Sequence, residues 1–173
     1  MSADHVDPDE DFRRRFDERE LLREAEEAAA QVERNTRTLG EVIGAAMLDG
    51  DTVVLEVGDV TVKGRPLATS DSLVAVQVGA AVRHVNVAAV ASVSVIPENA
   101  PPVRTPGAND QSLKGFLRGL VSSPPGGTVQ FVTTSGQQWT GQVIGVADDH
   151  VELESDDGYL RACRLENVAF IER

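Results

Sequence analysis

At 173 residues the chain is long enough for one ordinary domain or two very small ones, and too short for most large enzyme architectures. Sixteen basic residues against 28 acidic ones leave a net charge of −12, so a nucleic-acid backbone is repelled on average and any nucleic-acid role needs a local basic patch. A single cysteine, Cys163, excludes an internal disulfide framework and a thiolate metal cluster.

The start, Met1 to Asp7, has neither a basic region nor an apolar run, and no stretch of about 18 apolar residues follows anywhere, which predicts a cytoplasmic chain that does not enter a membrane. Fourteen of the 16 basic residues are Arg, and Ala, Val and Gly abound, the bias of a GC-rich bacterial genome. Segment 1–38 begins with a short stretch expected to be disordered. From Asp9 to about Arg37 it is rich in Glu, Arg and Ala, with no Gly or Pro after Pro8, which predicts one long charged helix whose early acids suit its N-terminal dipole. Leu22, Ala25, Ala29, Val32, Thr36, Leu39 and Ile43 recur at alternating spacings of three and four, drawing a narrow coiled-coil-like seam. Phe12 and Phe16, one turn apart, fall off the seam and form a second apolar spot. Phe12, Phe16, Leu22, Ala25, Ala29 and Val32 are therefore the candidate protein-partner residues.

Residues 39–96 and 113–173 flank a Pro-rich linker at 97–112. Gly50-Asp51-Thr52-Val53 is matched 76 positions later by Gly126-Gly127-Thr128-Val129. At an offset of 77, Asp71 faces Asp148 and Val74-Ala-Val76 faces Val151-Glu-Leu153. At 78, Arg83 faces Arg161, Val85 faces Cys163 and Val90-Ala91 faces Val168-Ala169, which is an internal repeat with two one-residue slips. Each copy opens with an amphipathic segment, Leu39 to Leu48 or Leu113 to Val121, and continues as about five short alternating strands punctuated by Gly and Asp turns. Gly141 interrupts one strand, and strands this short around a permissive Gly suit a small, strongly bent barrel in which one long strand folds over to serve both sheets.

The helix, the strands, the run Gly141-x-Val-x-x-Val-x-Asp-Asp-His-Val-x-Leu153 and the stretch Arg161 to Ile171 resemble the Sm-like branch of the SH3-like small β-barrels, in the tandem form found in high-GC bacteria. The resemblance covers 39–96 and 113–173. It implies an α+β, mainly β chain in which a long N-terminal helix precedes two tandem helix-plus-five-strand small barrels. It also implies association through strand edges. Sm-like RNA binders place an Asn after the Asp-x-x-hydrophobic segment and an Arg-Gly in the fourth strand. Here those positions hold Glu152 and Arg161-Ala162 in one copy, and Ala75 and Arg83-His84 in the other.

Residues that could carry chemistry are few. Cys163 stands where the first copy has Val85 and reads as a small buried hydrophobe. His5, His84 and His150 are scattered, with His84 alternating toward solvent or an interface. Asp7, Asp9, Asp11 and Glu18 imitate a calcium loop, but Phe12 stands where that loop needs Gly. Gly126-Gly127 lacks the Lys-Ser/Thr of a phosphate loop. Arg13-Arg14-Arg15 is flanked by acids and reads as a solvated helix face. Trp139 opens a strand and reads as core or rim packing. With no set of acid, base and nucleophile, the sequence points away from an enzyme, and neither a cofactor nor a metal is expected. The expected function is a non-catalytic interaction or scaffold module that self-associates and binds a protein partner. The alternative is RNA or DNA binding through Arg83, Arg161 and Arg164.

Overall fold

The computed structural model describes residues 19–31, 37–98, 100–101, 111–122 and 128–173. Two units emerge, Met1–Thr38 and Leu39–Arg173. In the first, helix α1 spans 19–31 and carries an Arg23–Glu27 ion pair at 3.0 Å, one turn apart. The long helix expected from Asp9 to Arg37 is corrected here. Residues 1–18 and 32–36 lie outside the described residues, while Arg37 and Thr38 are not helical. A separate helix, α2, then spans Leu39–Asp49. Thr38-x-x-Glu41 has the spacing of a capping box, a start signal that apolar periodicity alone passes over. Leu39 and Ile43 thus belong to α2, which buries Ile43 and Ala46.

The second unit is also not a pair of barrels. Its strands are β1 (Thr52–Val57), β2 (Val60–Thr69), β3 (Leu73–Val78), β4 (Ala81–Asn86), β5 (Ser92–Ile96), β6 (Val129–Thr133), β7 (Gln138–Val146), β8 (His150–Ser155), β9 (Leu160–Arg164) and β10 (Val168–Glu172). They form one open ten-stranded sheet in the order β5-β1-β2-β3-β4-β10-β6-β7-β8-β9, with antiparallel pairing throughout. Neither run of five closes on itself, because β4 gives its outer edge to β10: Val85 pairs with Phe170, His84 with Ile171 and Arg83 with Glu172. The edge groups of β4 and β10 that closure would have satisfied are satisfied across the seam, while β5 and β9 remain terminal among the described residues.

The two runs share one register. Val53 pairs with Gly64 as Val129 pairs with Gly141. Val74 pairs with Val85 as Val151 pairs with Cys163. Leu55 pairs with Val93 as Phe131 pairs with Ile171. Irregularities between Pro66 and Ala68 and between Val143 and Gly145 fall at matching places. In β2, Val60–Gly64 pair with β1 and Arg65–Thr69 with β3, so the strand changes neighbours at its glycine. A Cβ at Gly64 or Gly141 would overlap the carbonyl of Gln77 or Glu154, which makes a side chain costly there.

Each run builds a core that borrows from the other. Ile43 of α2 and the buried valines of β1 to β4 enclose Val132 and Phe170 from the second run. The other core is centred on helix α3, Leu113–Val121, whose Leu113, Phe116, Leu117 and Leu120 are buried at helical spacing, and it takes in Leu73 of β3. The Ser112 hydroxyl caps α3 by accepting from the Gly115 amide at 3.1 Å. Alternation along β10 sends Phe170 into one core and Ile171 into the other. Asn86, 3% exposed, pins the seam: its amide donates to the Leu165 and Val168 carbonyls at 3.0 and 3.1 Å, and its oxygen accepts from the Ala88 amide at 3.2 Å.

Candidate interaction edge

An open sheet ends in strands with one ladder and one bare row of amides and carbonyls. Among the described residues these terminal strands are β5 and β9. The hairpin leading into β9 turns through Asp156-Asp157-Gly158, where Gly158 has φ +82°, a conformation that favours glycine. Beyond the turn Tyr159 and Leu160 are 65% and 66% exposed.

Arg161 is framed by its own hairpin. Its Nη2 donates to Asp157 Oδ2 at 2.8 Å and its Nε to Ser155 Oγ at 3.4 Å. The guanidinium lies 5.9 Å from the Trp139 ring centre and 5.8 Å from that of Tyr159. The Ser155 hydroxyl, with the Tyr159 amide and Arg161, holds the Asp157 carboxyl below the usual carboxylate range. Trp139 is half-buried against the second core. Cys163, 4% exposed, faces the same core, and burial pushes its thiol pKa up.

The joined edge of β4 shows what such a strand looks like when it is occupied. Arg83 Nε donates to Glu172 Oε2 at 2.8 Å, with both side chains half-buried, and the guanidinium lies 4.7 Å from the centre of the Phe170 ring. On the opposite face His84 stacks on Phe116 of α3, with ring centres 4.0 Å apart. His84 therefore faces packed protein, and burial lowers its pKa. At the other bare edge, β5 carries Val95 and Ile96, and its Ser92 hydroxyl donates to Glu56 at 2.6 Å. Just past β5, Glu98 accepts from Thr52 at 2.8 Å and from Arg65 at 3.0 Å, so a local carboxylate takes up that cation.

The three arginines of the nucleic-acid alternative do not converge. Arg83 lies in the joined seam, while Arg161 and Arg164, an odd number of residues apart on β9, project to opposite faces. Each meets a carboxylate: Glu172, Asp157 and Glu166, the last at 3.3 Å from Arg164. Of the helical candidates, Leu22, Ala25 and Ala29 are exposed on α1, and Phe12, Phe16 and Val32 lie outside the described residues. Sequence reasoning missed Asn86, whose signal was an Asn in capping position before the turn Val87–Ala89, and missed the Phe170-Ile171-Glu172 triplet, which carries no local signal of what it pairs with.

Among the described residues no helix is long and apolar enough to cross a membrane. No protein-family model matches the chain, and no curated protein matches it.

Proposed function

We propose that the chain is a non-catalytic interaction module that self-associates and takes a protein partner through the bare edges of its sheet. One observation carries this reading: the terminal strands β9 and β5 stand, in the shared register, where β4 and β10 stand in the other run, and β4 and β10 are joined. An incoming strand at β9 would repeat a junction the molecule already makes once. Exposed Tyr159 and Leu160 add apolar surface at that edge. The net charge of −12 and the carboxylate beside each candidate arginine favour a protein partner over nucleic acid.

Changing Leu160 and Ala162 together to Lys would put charge on the β9 edge without touching either core. Light scattering over a concentration series should show mass rising with concentration for the native chain and a constant mass for the double variant, with unchanged circular dichroism. Equal masses at every concentration would contradict self-association through β9, and tight, salt-sensitive retention on single-stranded RNA would favour the nucleic-acid alternative.

A further inference from the structure

Resting on the reading of β9 as an interaction edge, we infer that its preferred occupant is an extended segment of a protein partner with aromatic, aliphatic and acidic residues in consecutive positions, running antiparallel to β9. The joined seam supplies the template. There β4 presents Arg83-His84-Val85, and β10 answers with Glu172, Ile171 and Phe170: a carboxylate for the guanidinium, a ring beneath it and an aliphatic side chain between them.

β9 presents Arg161-Ala162-Cys163 in the corresponding register, again an arginine followed by positions that accept apolar neighbours. The chain's own answer is poorer. In the register that places Val93 where Ile171 stands, β5 offers Ser94 in place of Glu172 and Ser92 in place of Phe170. A second copy docking by β5 would bring Arg161 neither carboxylate nor ring. Arg161 instead draws a carboxylate and one ring from its own hairpin, Asp157 and Tyr159, and a second ring from Trp139 of β7, and its side chain stays 34% exposed. An acidic residue opposite Arg161 would take the place Asp157 now holds, and an aromatic residue opposite Cys163 would add a ring across the strand, as Glu172 and Phe170 do for Arg83 at β4. Self-association through β5 is then the weaker use of the edge, and capture of an aromatic-aliphatic-acidic strand the stronger.

Three synthetic peptides test this against the full chain: one with the segment Val168–Glu172, the same peptide with lysine at the acid position, and one with the segment Ser92–Ile96. The single Trp139 reports binding by fluorescence, and hydrogen exchange locates it. The first peptide should bind at least about tenfold more tightly than either of the others, with protection gained over residues 160–164. In Arg161→Glu, checked for folding by circular dichroism, the acid and lysine peptides should exchange rank. Asp157→Asn, which removes the carboxylate charge beside Arg161, should tighten the first peptide. Equal or tighter binding of the Ser92–Ile96 peptide would overturn the inference and make a second copy the occupant. Binding indifferent to charge would overturn it as well. Absence of peptide binding while the lysine double variant still abolishes association overturns the inference and leaves the edge reading standing; absence of both effects overturns the two together.

Discussion

Asn86 is buried at the seam between the two five-strand runs and donates to two carbonyls of the second. Replacing it with Ala takes the side-chain donor from the buried Val168 carbonyl and leaves the Leu165 carbonyl only the Val168 amide, and should cost about 1–3 kcal/mol in urea unfolding. A loss below about 0.5 kcal/mol would mean that the seam is held by its apolar and ionic contacts alone. His84 adds a pH dependence. Burial lowers its pKa; the Ile171 backbone opposes this by hydrogen bonding and Arg173 reinforces it, so the folded protein takes up this proton less readily than the unfolded chain. The resulting stability is present above the ordinary value of 6.5 and is lost as pH falls through the lowered folded value. His150 has the opposite sign, its pKa raised by the Asp149 hydrogen bond, but it lies at the surface, where solvent screens the effect. Urea midpoints measured from neutral pH downward should fall less steeply in His84→Gln than in the native chain, and parallel curves would remove His84 from the explanation. That His84 points away from Val85 is legible in the alternation of β4. That this second face is also covered is not, because the helix that covers it comes from the other half of the chain.

Strand positions are the most legible elements, since alternation, Gly turns and Asp turns are local signals. The helices before each run are legible for the same reason. The N-terminal helix is less so. Periodicity counts residues as though the helix were unbroken, and the non-helical Arg37-Thr38 splits the seam between α1 and α2. What α1 keeps within 19–31 is Leu22, Ala25 and Ala29, one large side chain and two small ones, too little apolar area for a strong helix pair. Leu22→Asp should therefore leave the concentration dependence of mass in light scattering unchanged. A loss of association in that variant would return the seam to the centre of assembly and demote β9.

The repeat specifies strand order and register within each run, and leaves open whether the runs close separately or continue into each other. That choice turns on β4 and β10, more than 80 residues apart, where the Arg83–Glu172 pair, the Phe170 ring and Asn86 act together. No local pattern announces such a pairing, so tandem barrels and one continuous sheet are indistinguishable at the level of sequence alternation. Continuity is what leaves β9 and β5 as the terminal strands among the described residues. The most direct test is hydrogen exchange of the full chain across a dilution series. Association through β9 requires amides within 160–164 to gain protection as concentration rises, while those of β4, already joined to β10, do not change. Protection gained over 19–31 with β9 unaltered would contradict it.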